Sequence, residues 1–391
     1  MVQVETTRRT YIDFLRGIAM IGVIFANFNS YVEQQLPFEI LSESANRIDN
    51  FLMSFNTIFL EWKFMSLFSI LFGYGFGVIL SSVEKAGANP TTFFIRRMIW
   101  LFILGIIHSC FWLGDVLHLY AICGALLLLF RNMGAKKLLP VGFILTIGPS
   151  LAMAIIKTFY TFGHNEHLAY DVYNGLMSNN LMTLFHTNIR GYYDMYIITG
   201  SEWHDIPETL GRFLLGYWLL KSNTIEKFVS SSEKLKRLLY QVSIPVLLYW
   251  ILRGSLLSES SFIPQSPFIS PFIKFGILLN TLFYSALALL IYSNHRNSKP
   301  VNLIVNLGKM TLTNYMLVSA FMITVLYGIG LGMMDQISIS QIWLMAVGFV
   351  FMALYGSKKW LSKFKYGPAE WVWRQLTWNK RLPLLRQNTI D

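Results

Sequence analysis

Charge is what this chain has least of: only 14% of its 391 residues are Asp, Glu, Lys or Arg, while 54% are apolar. A soluble multidomain protein of that length needs more polar surface. Scarce charge with positive mean hydropathy therefore marks an integral membrane protein. Cysteine is scarcer still. Cys110 and Cys123 both lie in apolar runs and offer neither a disulfide framework nor metal-ligand spacing, so packed, reduced thiols are expected. A phosphate-binding glycine loop is missing too: Gly73, Gly75 and Gly77 follow no strand and precede no Lys-Ser/Thr. The Gly73/Gly77 pair instead has the spacing that lets helix backbones pack closely. The net charge of +11 does not point to nucleic acid, because the basic residues sit in loops between apolar runs.

Those runs fall at about residues 11–31, 64–80, 98–113, 116–130, 138–159, 206–220, 238–252, 272–292, 312–331 and 339–355. The expected fold is all-α, a polytopic membrane bundle of about ten transmembrane helices, with nine to eleven allowed by the two shortest runs. The first run follows Arg8 and Arg9 as a signal peptide would. It contains Asp13 and Arg16 and lacks a small-residue cleavage site, so it reads as a retained span. With the N-terminus inside, about 24 of the 32 basic residues fall in inner segments, against about four (Arg47, Lys63, Arg190, Arg253) in outer loops. Both termini are expected to be cytoplasmic and the location to be the cell membrane. The chain divides into an N-terminal five-helix half (1–159), an extracytoplasmic loop (160–205) and a C-terminal five-helix half (206–391) with an interfacial tail (364–381). A homo-oligomer is compatible with this pattern.

The long outer loop holds His164, His167, His186 and His204. No carboxylate or thiol is matched to the His164/His167 pair, so the loop reads as solvated or substrate-facing and no metal is expected. In LGKMTLTNYMLVS, Thr311 or Thr313 is a candidate helix cap, with Lys309 just outside. The tail KFKYGPAEWVWRQLTWNKR alternates Trp and Arg after Gly367-Pro368, as an interfacial anchor would.

Polar residues inside the spans carry the functional reading. Asp13 lies within reach of Arg16, and Arg16 precedes Asn27 by eleven residues, about three turns on one helix face and roughly 16 Å along the axis. Arg97 precedes His108 by the same interval. An intramembrane Arg costs about 2.5–3.5 kcal/mol on insertion scales, and an imidazole among Ile, Leu, Phe and Trp is costly as well. Both faces are therefore expected to point into one shared hollow, cationic at the cytoplasmic end and uncharged near the outer side. Asp115 can orient His108 only if the turn at Gly114 folds back, since a straight helix separates them by about 10 Å. Such a track could receive an anionic donor from the cytoplasm and deprotonate an acceptor arriving outside, and a transporter could use it equally well.

Five stretches carry a resemblance: YIDFLRGIAMIGVIFANF, KFMSLFSILFGYGFG, LGIIHSCFWLGDVLHLYAICG, LGKMTLTNYMLVS and FKYGPAEWVWRQLTW. Together they resemble the YeiB-like bacterial membrane proteins, whose C-terminal half defines domain of unknown function 418. That family is similar, more distantly, to transmembrane acyltransferases. Those share an Arg followed after ten residues by His or Asn on the first span, here Arg16 and Asn27. The resemblance implies a ten- or eleven-helix fold that takes acyl-CoA from the cytoplasm and modifies an extracytoplasmic sugar or lipid; translocation of a small amphiphile is the alternative. No His occupies the first span, so the base falls to His108. The expected site has Arg16, Arg97 and Lys309 on the phosphates, and Lys309 stands where Arg is more usual, which weakens bidentate contact. His108 acts as general base, Asn27 steadies the oxyanion, and Asp115 orients the site. Asp13, Tyr120 and Asn314 line it.

Overall fold

The computed structural model describes residues 9–33, 35–37, 40–41, 45–159, 168–198, 201–258 and 269–386. Among them the fold is helical throughout, with one isolated antiparallel bridge between Phe364 and Leu385. The helices are α1 (Thr10–Glu33), α2 (Arg47–Phe55), α3 (Lys63–Lys85), α4 (Pro90–Ser109), α5 (Leu117–Leu127), α6 (Ala135–Phe159), α7 (Leu168–Leu176) and α8 (Leu181–Tyr192). They continue with α9 (Ser201–Lys221), α10 (Thr224–Val229), α11 (Ser232–Ser258), α12 (Ile269–His295), α13 (Lys299–Gly308), α14 (Thr311–Leu326), α15 (Ile339–Lys363) and α16 (Pro368–Trp378).

Seven helical stretches are long and apolar enough to cross a membrane, or eight if α13 and α14, bent by 81° at Lys309–Met310, form one broken span. The outward faces agree. Ile99 and Ile107 on α4, Leu247 and Ile251 on α11, and Leu344 and Phe351 on α15 are all exposed, a band that belongs against lipid tails. Each apolar run read from sequence falls on a helix, several with different ends. Helix α9 starts at Ser201, and α14 stops at Leu326. Helix α5 with its 3-10 extension covers only Leu117–Phe130, about 21 Å against the roughly 30 Å of a hydrocarbon core. Because α5 is too short for a full crossing, the turn before it is drawn into the protein, with Trp112, Leu113 and Asp115 buried.

Helix ends follow their local chemistry. Asn89 accepts from the Thr91 and Thr92 amides ahead of Pro90 to start α4, and Ser338 with Gln341 forms a capping box on α15. The outer loop is ordered where described. Helices α7 and α8 lie over the buried turn, and Asn188 Nδ2 donates to the Cys110 carbonyl at 3.2 Å. His164 and His167 lie outside the described residues.

Helix α1 is the centre of the bundle, packed against α3, α12, α13, α14 and α15. The approach to α13 is backbone to backbone. A Cβ on Gly308 would strike the Asp13 carbonyl, and one on Gly17 the Ile304 carbonyl. The Gly73/Gly77 pair serves the same purpose between α3 and α9, where Gly73 meets the backbone at Phe213. Gly308→Ala should therefore destabilise the detergent-solubilised protein by about 1–3 kcal/mol or more. Gly348→Ala, with nothing near its added methyl, should be neutral. Thermal unfolding monitored by size-exclusion chromatography reads both, and equal melting temperatures for the two variants would refute the backbone contact.

Candidate functional site

Two adjoining cavities among the described residues gather the polar side chains of the bundle. The first, about 200 Å³, is lined by Asp13 and Arg16 of α1, Arg97 of α4, Lys309 at the α13/α14 bend, and Glu370, Trp373 and Arg374 of α16. The three cations expected to share a site thus share this one. Arg16 Nη1 is 3.6 Å from Asp13 Oδ1, and Arg97 lies over the Trp373 ring, with its Cζ 3.4 Å from the centroid. Trp373 Nε1 donates in turn to the Arg97 carbonyl at 3.0 Å, so one indole fixes both ends of the residue.

Helix α16, expected from sequence as an interfacial anchor, closes this cavity. Glu370 caps α14 from outside, accepting from the Leu312 amide at 2.7 Å, the Thr313 amide at 3.2 Å and the Thr313 hydroxyl at 2.5 Å. The cap expected from Thr311 or Thr313 is therefore supplied by a carboxylate 57 or 58 residues away, and the N-cap residue Met310 makes no side-chain capping bond. Burial pushes the Glu370 carboxyl above its ordinary range.

The second cavity, about 90 Å³, is lined by Asn27, Ser69, Trp112, Asp115, Tyr192, Tyr196, Arg212 and Lys274, among others. Asn27 Nδ2 is buried with no acceptor among the described residues. Trp62, also on this wall, has a positive φ of 63°, a conformation rare for a bulky residue. Met65, Val116 and Tyr120 line both cavities. Tyr120 is pinned there by its hydroxyl, 2.6 Å from Ser69 Oγ and 3.3 Å from the Met65 carbonyl.

Asp115 anchors the junction. The turn at Gly114 does fold back, with the Trp112 indole packed so closely on Gly114 that a Cβ there would sit 2.7 Å from the ring. Asp115 Oδ1 consequently lies 2.7 Å from His108 Nδ1 and accepts the Tyr315 hydroxyl at 3.1 Å. Its Oδ2 accepts the Leu117 amide at 2.9 Å and the His118 amide at 3.4 Å, and lies 3.1 Å from His118 Nδ1. Each imidazole then offers its far nitrogen to a hydroxyl: His118 Nε2 to Tyr192 at 2.7 Å, His108 Nε2 to Ser319 at 2.9 Å.

The single shared hollow expected from sequence is thus replaced by two. Arg16, Arg97, Lys309 and Asp13 line the first, Asn27 and Asp115 the second, Tyr120 both, and His108 neither. Asn314 lines neither: its Nδ2 bonds to the Met310 carbonyl at 2.8 Å and to Ser357 at 3.1 Å, tying α14 to α15. Residues that sequence reasoning passed over include His118, Tyr192, Tyr315, Ser319, Glu370 and Trp373. Only the WVWR pattern of the tail carried a signal for one of them. His204, Asp205 and Glu208 bring ligand atoms within 4.8 Å of one another. Arg212 at 3.0 Å and Lys274 at 2.7 Å already hold Glu208 Oε2, however, and their charges oppose a metal ion there.

Fold and site together define a polytopic helical membrane protein with a two-chambered polar interior. A family model described as "Protein of unknown function (DUF418)" matches residues 219–380, from the end of α9 through α16. The uncharacterized protein YeiB of Escherichia coli is 25% identical over 95% of this chain and 96% of its own length. The uncharacterized protein YxaH of Bacillus subtilis is 24% identical over 97% and 96%. An uncharacterized 39.9 kDa protein of Bacillus acidopullulyticus, from the amylase 3' region, is 26% identical over 97% and 96%. Residues 219–380 thus carry the DUF418 region, and the chain is similar to these YeiB-like proteins over nearly its whole length. No solved structure matches it.

Two measurements test this geometry. Asp115→Ala leaves two imidazoles, a phenol and two amides without their acceptor and should cost about 3–5 kcal/mol of thermal stability, with Asp115→Asn costing less. For Glu370, a carboxyl held above its ordinary range binds its proton more tightly folded than unfolded. Its contribution is full at low pH and is lost as pH rises from the ordinary carboxylate range through the raised value. Melting temperature should accordingly decline over that window, and Glu370→Gln should flatten the decline; an unchanged slope would refute the assignment.

Proposed function

We propose that this protein is a transmembrane acyltransferase that moves an acyl group from acyl-CoA to a hydroxyl or amine on an extracytoplasmic sugar or lipid. The observation that carries the reading is the pair of cavities meeting at Tyr120, one lined by Arg16, Arg97, Lys309 and Arg374, the other by Asn27 and Asp115. Clustered guanidinium and ammonium groups suit a phosphorylated donor, for which Arg supplies paired hydrogen bonds and Lys a point charge. A cavity of about 200 Å³ is smaller than CoA as a whole. It suits the pantetheine arm, with the nucleotide end at the mouth beside Arg374 and the thioester directed at the septum.

The excess of basic residues in alternate loops turns the cationic cavity to the cytoplasm and the Asn27 cavity outward, the protein lying in the cytoplasmic membrane. The acceptor then enters among Tyr192, Tyr196, Arg212 and Lys274. His108, its Nδ1 committed to Asp115, is the base, and the Asn27 amide is a donor waiting for an oxyanion.

A second reading, translocation of a small amphiphile, draws on the same septum, which closes a track between two cavities as a gate would. The two readings part at His108→Ala. A transferase keeps donor binding and loses turnover, whereas a carrier without proton coupling keeps its flux.

Acetyl-CoA at a hundred times its Kd should stabilise the solubilised protein by about 2.7 kcal/mol. Arg16→Ala and Arg97→Ala should each weaken that binding about tenfold or more. No stabilisation by acetyl-CoA, with no effect of either substitution, would end the acyl-CoA reading.

A further inference from the structure

The base in this site is already paired with a hydroxyl, and the hydroxyl belongs to the protein. Asp115 Oδ1 at 2.7 Å is an acceptor suited to an N–H at His108 Nδ1, the tautomer that leaves Nε2 as an acceptor. Ser319 Oγ stands 2.9 Å from that nitrogen. A serine inside a helix usually turns its hydroxyl back on the carbonyl four residues earlier. Here that carbonyl, of Tyr315, is 3.5 Å away, at the limit of a hydrogen bond, so the hydroxyl is aimed at the imidazole instead. Asp115, His108 and Ser319 thus stand in the order and at the spacing of an acid–base–nucleophile triad, built from α4, the buried turn and α14.

Two further observations suit chemistry there. The Tyr31 hydroxyl, fully buried, lies beside Ser319 and interacts with it, a second phenol donor next to the serine oxygen. And the triad stands between the cavities, behind one ring from each. Tyr315 lines the cationic cavity with its ring centroid 5.1 Å from the imidazole, and Trp112 lines the outer cavity at 5.9 Å. The Tyr315 phenol is held by its 3.1 Å bond to Asp115, and access to Ser319 from the donor side requires that ring to swing aside.

We infer that Ser319 is a catalytic nucleophile that carries the acyl group as an ester between donor and acceptor, an inference that rests on the acyl-transfer reading for the identity of the donor. Ser319 Oγ forms a bond to the thioester carbonyl carbon as its proton passes to His108 Nε2. The carbon–sulfur bond breaks and the CoA thiolate leaves with that proton. An acceptor hydroxyl or amine then attacks the acyl-serine, its proton passes through His108 to Ser319 Oγ, and the serine is restored.

A small alkyl fluorophosphonate tests the nucleophile without any CoA: the serine oxygen bonds to phosphorus and fluoride leaves. In the full-length protein in detergent, peptide mass spectrometry should place the adduct on Ser319, and His108→Ala should reduce labelling at least a hundredfold. Ser319→Ala should abolish labelling and lower acetyl-CoA turnover by a similar factor while eluting as the wild type does. Ser319→Cys, of nearly the same size, should accumulate a hydroxylamine-labile acyl thioester from acetyl-CoA, which covers the case of a misfolded alanine variant. Labelling at Ser319 without acetyl-CoA turnover would discard the donor and keep the nucleophile. Turnover by the wild type with no adduct on Ser319, or by Ser319→Ala at the wild-type rate, would overturn the inference and leave the acyl-transfer reading standing. Neither labelling nor turnover would sink both.

Discussion

One carboxylate holds the interior of this protein together. Asp115 is buried in a turn between two apolar helices, where an unpaired charge would be prohibitive. It is tolerated because five donors converge on it: two imidazoles, one phenol and two backbone amides. Those donors come from α4, α5 and α14, and His118 extends the network to Tyr192 at the end of α8. Non-helical backbone at membrane depth needs its polar groups satisfied within the protein, and the amides at the start of α5 find that satisfaction in Asp115. The shortness of α5 follows, since a helix capped from a buried turn has no need to reach the surface.

At the opposite end of the bundle the same problem has a different solution. Helix α14 begins after an 81° bend, with its first amides facing inward and no capping side chain of its own. Glu370 reaches across from α16 to accept from two of them. The helix that makes this cap also carries Trp373, on which Arg97 lies, and Arg374. Capping α14, seating Arg97 and closing the cationic cavity are therefore one structural event. That explains why a stretch with the composition of a membrane anchor ends up with Trp373 buried.

Much of this was legible in the sequence, and the part that was not has a common cause. Apolar runs gave the helices, because a bilayer demands about twenty apolar residues per crossing and the chain supplies them repeatedly. The eleven-residue spacing placed Arg16 and Asn27 on one face of α1, and they do open into cavities that meet at Tyr120. A shared hollow for Arg97 and His108 was the same inference one helix later, and it failed at the ring. His108 sits in the last turn of α4, where the chain folds back, and Asp115 with Ser319 claims both of its nitrogens. Ser319 and Tyr315 lie two hundred or more residues from what they touch, and Glu370 lies 57 or 58 from the amides it caps. No periodicity encodes that. Asn314 shows the converse: a polar residue in a motif with a striking pattern of neighbours turned out to join α14 to α15.

Tyr120 gives the arrangement its direction. A cation cluster attracts phosphates by charge and an aromatic-walled cavity accepts a different molecule by shape, but neither matters to the other unless their contents can meet. The wall between them is thin, shared by Met65, Val116 and Tyr120, and its phenol is tied to Ser69 and to a backbone carbonyl rather than to any charge. Neutral hydrogen bonds of that kind contribute only about 0.5–1.5 kcal/mol each, whereas the anchorage of Asp115 involves a charged acceptor at about twice that strength. The interior is therefore rigid where it positions charge and weakest where the two chambers touch. A group passing from one chamber to the other would meet its lowest barrier at that phenol.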